Sequence, residues 1–351
     1  MRLAGASACV PKKIVKAEFA YEKFKPFDVD RIVGNTGALQ KREAAPGTTA
    51  SDLCIAAARP LVEELRWERD SIDAVVLVTM LGDHYLPASS HRAHQLLELN
   101  PRCLVFDINL GCSGWTHGMI VLQGLIASGV VKRALLLCGE MVTGFMKPYS
   151  ADLEHRSDLA NALLIGDAGT ATALTNEGPS QIRAAEFGAD GSGFEHIIVQ
   201  GGGSRNPWTP ALFERRPEAD EETRRPIDLT LHGPQILTFA MKKVPPLLEK
   251  LLTQAGWTRD DIDAYVFHQA NKFMINFLRQ RMKLPEDRIL LSIEEFGNTS
   301  SASIPLTIVT RGGEHLKKPT KWAMLGFGVG LSWSGLLMET DDIVTVPLVE
   351  I

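Results

Sequence analysis

The chain lacks most of the features that would place it outside ordinary soluble proteins, and each lack removes a class. Its 351 residues include only five cysteines, Cys9, Cys54, Cys103, Cys112 and Cys138, an odd number with no CxxC pair. That spacing excludes a disulfide framework and a zinc cluster and points to a reducing compartment. No apolar run is long enough to span a bilayer, and Met1-Arg2-Leu3-Ala4-Gly5 opens no apolar leader. The expectation is therefore a cytoplasmic protein with no membrane association. Positive charge is not in excess: 37 Lys and Arg stand against 42 Asp and Glu, net −5, which argues against a nucleic-acid partner. Gly201-Gly202-Gly203 is not followed by the Lys-Ser/Thr of a phosphate-binding loop and reads as a turn. His91 and His94 lie three apart on an expected helix, but no third ligand is evident, so no metal is expected.

What is present suits a large α/β protein. Hydrophobic residues make up 45% and charged residues 23%, enough for a sizeable core, and the length suits two domains or one large unit. Residues 2–10 read as a strand. Thr49-Ala50-Ser51-Asp52 can cap a helix through Leu53, Ala57, Leu61 and Leu65. Residues 73–80 and 134–138 are continuous apolar strands of the kind buried on both faces of a parallel sheet. Arg31 to Gly37 reads as turn, Leu163 to Leu174 as strand, turn and strand, and Gly201 to Pro226 as a long surface excursion.

The organising stretch is Val105 to Ser128. It begins as a strand, turns at Gly111 and continues as a small-residue helix, with Cys112 at the turn. Unpaired N–H groups at a helix start favour thiolate over thiol, so Cys112 is the candidate nucleophile. Taken alone it is equally a small buried thiol.

The chain also repeats itself. The ten residues Trp67 to Val76 match the ten from Trp257 to Val266 at seven positions, an offset of 190. Each copy follows an amphipathic helix and opens a buried strand. A Gly turn and a small-residue helix come later in both halves, at Gly111-Cys112 and at Gly297-Asn298. This predicts an internal duplication with its boundary near 175, giving units 1–174 and 175–351. Val266-Phe267-His268 ends a buried strand, the edge at which α/β sheets bind ligands. Duplicated halves would bring Cys112, His268 and Asn298 together across the pseudo-axis. Singly, His268 is also readable as a core histidine and Asn298 as a turn residue.

Gly111-Cys112-Ser113-Gly114, His268-Gln269-Ala270-Asn271 and Gly297-Asn298-Thr299-Ser300 resemble the Cys, His and Asn motifs of thiolase-fold condensing enzymes, most specifically of β-ketoacyl-acyl carrier protein synthase III. The resemblance extends over Gly166-Asp167-Ala168-Gly169, Ala189 to Gly193, Gly233-Pro234 and Gly326-Phe327-Gly328-Val329-Gly330. It implies a thiolase fold, with duplicated βα halves forming a five-layer αβαβα sandwich. It implies decarboxylative Claisen condensation of a Cys112-bound acyl group with a malonyl-type thioester, His268 and Asn298 serving the enolate. The implied oxyanion hole is the backbone N–H groups of Cys112 and Val329. No cofactor or metal is implied; the partners are acyl carrier protein or coenzyme A thioesters and a second copy in a homodimer.

The family contrast adds expectations about binding. Arg31 and Asn35 stand where coenzyme A-using members commonly place Trp and Arg. Leu86 falls on the position that gates the acyl pocket, often Phe. Lys272-Phe273 stands where a basic residue receives the carrier protein, and Lys242, Lys243, Arg279, Arg281 and Lys283 would extend a basic patch. The alternative is an acyltransferase on the same fold that moves the acyl group to an alcohol or amine. A hydroxymethylglutaryl-type synthase would need a carboxylate base near Cys112, and Glu140 and Asp83 are the acids near candidate turns in sequence.

Overall fold

A computed structural model describes the chain except residues 23, 147–155, 180 and 218–222. Two mixed sheets dominate it. In the first, the strands follow the order Val344–Thr345, Arg2–Val10, Ala168–Thr175, Arg133–Glu140, Ala74–Val78, Leu104–Ile108, with Val349–Glu350 also on Arg2–Val10. In the second the order is Ile182–Ala189, Ser332–Thr340, Thr320–Gly328, Ala264–Phe267. Both run antiparallel through their first three long strands and parallel beyond. The partner of Leu104–Ile108 in the second sheet shrinks to a single parallel bridge between Tyr265 and Ile289.

The repeat read from the sequence is built into the same local machinery twice. Asp73 N–H donates to the Arg133 carbonyl at 2.8 Å, and Asp263 N–H to that of Lys321 at 2.9 Å. Each aspartate then accepts a backbone N–H of the neighbouring strand, Arg133 at 3.2 Å and Lys321 at 2.8 Å. Arg133 lies 5.1 Å over the Trp67 ring and Lys321 lies 4.8 Å over Trp257. The W-x-R-D-x-I-D-A repeat is thus one strand-pairing device used in both halves.

Between the sheets lie the helices Gly114–Ala127 and Ser303–Arg311. Trp115, Met119, Leu122, Ile304 and Ile308 form one cluster with Val76, Val78 and Leu136 of the first sheet and Trp322, Met324 and Leu336 of the second. The helices Ala50–Glu64 and Ser89–Leu96 cover the outer face of the first sheet, and Gly233–Ala255 and Lys272–Met282 that of the second. The result is the five-layer αβαβα sandwich of the thiolase fold. Buried Leu136 bridges sheet and central helix, and truncating it to Ala would cost about 2–5 kcal/mol.

Three local readings are overturned. Pro26–Thr36 is a helix: Pro26 starts it, and Gly37, at φ 75°, stops it with its N–H on the Val33 carbonyl at 2.7 Å. Gly34 and Asn35, read as turn residues, sit inside it because packing of Val29 and Ile32 outweighs their propensity. The expected strand at Leu163 is the end of the helix Arg156–Leu164; only Ala168–Thr175 is strand. The unit 175–351 does not keep its tail, since Val344–Thr345 and Val349–Glu350 add to the first sheet. A free sheet edge offers unpaired backbone groups to any extended segment, which composition does not reveal. Within the Gly201–Pro226 excursion, residues 218–222 lie outside the described residues.

Candidate active site

Cys112 follows the strand Leu104–Ile108 and stands two residues before the helix Gly114–Ala127. The backbone N–H groups of Val329 and Cys112 itself act on its sulfur, and the Ser300 hydroxyl lies near it from the other half. Gly328, at φ 156°, passes so close that a Cβ there would lie 2.6 Å from the sulfur. Only glycine permits that approach. The thiol pKa is nevertheless raised, because burial outweighs the hydrogen bonds from Val329, Ser300 and Cys112 that lower it. The expectation of a thiolate favoured by the helix start is therefore corrected: the resting group is a partly buried thiol with donors around it.

His268 follows the strand Ala264–Phe267, with its N–H on the Leu325 carbonyl at 2.8 Å. It is 1% exposed, stands edge-on to Phe327, and its Nδ1 lies 2.8 Å from Ser303 Oγ. Ser303 Oγ also accepts the Gln269 N–H at 3.4 Å and has a proton of its own to give to Nδ1, an arrangement that accommodates the tautomer with hydrogen on Nε2. Burial pushes the His268 pKa down to about 3, against a contact with the Ser300 carbonyl that raises it. The imidazole is a neutral N–H donor at any ordinary pH.

Asn298 follows Gly297, whose φ of 67° and ψ of −159° only glycine adopts readily. The turn is pinned from the first half: Asn298 N–H donates to the Leu164 carbonyl at 2.8 Å, and Gly166 N–H to the Asn298 carbonyl at 3.1 Å. Asp167 holds that segment, accepting N–H groups from Ala44 at 2.8 Å and Thr143 at 3.0 Å. The amide is oriented as well. Oδ1 accepts the Ser300 N–H at 2.9 Å, and Nδ2 donates to the Ala270 carbonyl at 3.4 Å, which leaves its second hydrogen free.

Ser300 thus sits among all three groups: its N–H is bonded to Asn298, its carbonyl side acts on His268, and its hydroxyl faces Cys112. It holds φ 50°, uncommon for a residue with a side chain, and its buried hydroxyl has no hydrogen-bond partner among the described residues. Sequence reasoning did not single out Ser300 or Ser303. The only signal was their place in the run Thr299-Ser300-Ser301-Ala302-Ser303, too common a composition to be read alone.

The binding residues are not brought to this centre. Arg31 and Asn35, one helical turn apart, are both exposed on the helix Pro26–Thr36. Leu86 is 81% exposed on the loop before the helix Ser89–Leu96, where the neighbouring Tyr85 hydroxyl donates to the Gly202 carbonyl at 2.5 Å. Lys272 pairs with Glu294 at 2.5 Å, Lys243 with Asp190 at 3.7 Å and Arg279 with Glu286 at 3.1 Å. Half of the expected basic patch is therefore neutralised locally. Among the described residues no His, Cys, Asp and Glu group of metal-binding form occurs, and no helix is long and apolar enough to cross a membrane. Asp83 is tied to Ser51 at 2.6 Å in the outer layer; Glu140 is near enough for the Cys112 charge to act on it.

A duplicated five-layer sandwich with a half-buried cysteine between two amides, and a His and an Asn on the facing half, defines a thiolase-fold condensing enzyme. Residues 106–191 match the 3-oxoacyl-[acyl-carrier-protein] synthase III family, and residues 252–340 match the C-terminal part of that family. A β-ketoacyl-[acyl-carrier-protein] synthase III of Streptomyces coelicolor is 30% identical, with 94% of each chain covered. One from Syntrophomonas wolfei is 29% identical, with 97% of each covered. The crystal structure of a 3-oxoacyl-(acyl-carrier protein) synthase from Burkholderia xenovorans superposes with a TM-score of 0.89 at 36% identity, covering 100% of this chain and 97% of that one. The chain belongs to the β-ketoacyl-acyl carrier protein synthase III family, and it is a condensing enzyme.

Proposed function

We propose that the chain loads an acyl group onto Cys112 from an acyl thioester and condenses it with a malonyl-type thioester, releasing carbon dioxide and a β-ketoacyl thioester. The single observation that carries this reading is Ser300, which is bonded to Asn298 and acts on both Cys112 and His268, so that the three groups form one cluster. In the acyl-transfer step the Cys112 sulfur bonds to the acyl carbon, the thioester C–S bond breaks, and the leaving thiolate takes the thiol proton. The tetrahedral oxyanion lies where the Val329 and Cys112 N–H groups now meet the sulfur. In the second step the malonyl carboxylate leaves as carbon dioxide, and its electron pair moves into an enolate. His268 Nε2–H and the free Asn298 N–H donate to that oxygen, and both groups are neutral, so neither protonates the carbanion. The carbanion then attacks the acyl carbon and expels the Cys112 thiolate. Acyl carrier protein or coenzyme A would deliver both groups, with neither metal nor cofactor, in a cytoplasmic homodimer whose partner copy covers Leu86.

Intact-mass measurement across a panel of acyl thioesters tests this. The wild-type chain gains one acyl mass and Cys112→Ala gains none; loading of the variant at the wild-type rate overturns the assignment.

A further inference from the structure

One buried acid is not used by that chemistry. Glu140 ends the strand Arg133–Glu140 and is 0% exposed. Its Oε1 accepts the Met80 N–H at 3.1 Å, its Oε2 lies 3.2 Å from the Thr79 hydroxyl, and the Ser301 hydroxyl bonds to the same carboxyl. Thr79 and Met80 follow the strand Ala74–Val78 of the first half, and the Met80 sulfur packs at Gly111, next to the nucleophile. Ser301 belongs to the second half and adjoins Ser300. The carboxyl therefore joins the turn that backs Cys112 to the turn that carries Asn298.

The hydrogen bonds show which form of the carboxyl fits. The Thr79 hydroxyl also lies 3.3 Å from the Leu81 carbonyl, to which it can donate, and accepts the Leu81 N–H at 3.1 Å. Ser301 has the Val78 carbonyl at 3.4 Å as its own acceptor. Both hydroxyls have somewhere else to send their proton, so either can accept one from Glu140. Among the described residues no cation acts on Glu140; Cys112 is the charged-form neighbour that does. A carboxylate fully buried without a cation is costly, whereas a carboxylic acid accepts the Met80 N–H on one oxygen and can donate from the other to the Thr79 hydroxyl, leaving Ser301 its Val78 acceptor.

We propose that Glu140 is a positioning residue that works as a neutral carboxylic acid, clamping the Thr79–Met80 turn to the Ser301 turn, and that its ionisation suppresses the reactivity of Cys112. This rests on Cys112 as the acyl-carrying nucleophile. Burial pushes the Glu140 pKa up to about 8, with the Cys112 charge adding to the rise and the Met80, Thr79 and Ser301 hydrogen bonds opposing it. Below that pH the acid is neutral and a thiolate forms beside no charge. Above it, a carboxylate faces the sulfur and disfavours the thiolate. The other ionisable groups facing Glu140 are Cys138 on its own strand and Cys54 on the helix Ala50–Glu64; both are buried thiols with raised pKa values, and Asp83 lies beyond Cys54.

The test is the pH dependence of Cys112 alkylation by iodoacetamide, followed by peptide mass, in wild type, Glu140→Gln and Glu140→Ala. The glutamine keeps the shape and a donor but cannot ionise. Its alkylation midpoint is expected to fall by roughly one pH unit or more, the scale of a like-charge neighbour. Acyl loading near neutral pH is expected to be roughly tenfold slower in Glu140→Ala, through loss of the clamp, and rescued by Glu140→Gln. Superimposable alkylation profiles for wild type and Glu140→Gln overturn the proposal. Should the variants fail to fold, carboxyl NMR of wild type carrying labelled glutamate decides: one side chain titrating near pH 8 supports the neutral acid, and its absence overturns it. Alkylation is read without substrate, so a wild type that alkylates but never loads acyl groups defeats the functional reading and leaves this one standing.

Discussion

The backbone N–H of Ser300 donates to Asn298 Oδ1 at 2.9 Å, and that bond decides which end of the amide faces the pocket. With Oδ1 occupied, the donor end is left for substrate. Asn298→Ala removes the donor without touching Cys112. The variant is expected to load acyl groups normally while carbon dioxide release from malonyl thioester falls about 100-fold, the usual loss for one oxyanion donor. Unchanged decarboxylation, measured by labelled carbon dioxide, would remove Asn298 from the enolate site.

His268 makes the fold sensitive to acid. Its folded pKa of about 3 lies below its ordinary 6.5, so the unfolded chain binds the proton more readily. The stability it contributes is complete above pH 6.5 and is lost as pH falls from there toward about 3. At about pH 5 the loss is about 2 kcal/mol. Denaturant titrations at neutral pH and at about pH 5 should show that penalty in wild type and a smaller one in His268→Gln. Equal acid sensitivity in both proteins would contradict the buried neutral imidazole.

Gly328 is the tightest point of the site. The Cβ of Gly328→Ala would sit 2.6 Å from the Cys112 sulfur, so the sulfur or the Val329 amide must move. Acyl loading should drop by about 100-fold, the cost of misplacing a reacting atom. Melting temperature should fall by only a few degrees, since one strained residue costs about 1–3 kcal/mol. Loading at the wild-type rate would show that the sulfur does not need this backbone.

Lys272 and Glu294 form an exposed pair at 2.5 Å. Glu294→Gln should free the lysine and lower the KM for an acidic carrier protein about twofold to fivefold at low salt, an effect lost at high ionic strength. A KM that stays constant at every salt concentration would place the carrier elsewhere.

The chemistry of the site was legible in the chain because it lies in local grammar. A strand, a Gly turn and a small-residue helix place Cys112; the strand ending at His268 and the Gly297 turn place the other two. The W-x-R-D-x-I-D-A repeat announced the duplication because each copy performs the same strand-pairing task. What remained hidden depends on distances between residues far apart in the chain. The helix Pro26–Thr36 is held by packing of Val29 and Ile32 against propensity. The tail strands Val344–Thr345 and Val349–Glu350 found the edge of Arg2–Val10. Lys272 met Glu294.

The sequence by itself picked out the candidate groups that the structure brings together: one cysteine at a helix start, one histidine and one asparagine on the duplicated half. Only the tertiary structure decided their states. Desolvation, set by the two sheets closing over the site, keeps Cys112 a thiol and His268 neutral, and raises the pKa of Glu140. Charge is legible in a sequence, but the cost of burying it is a property of the surroundings, and those exist only once the halves have met.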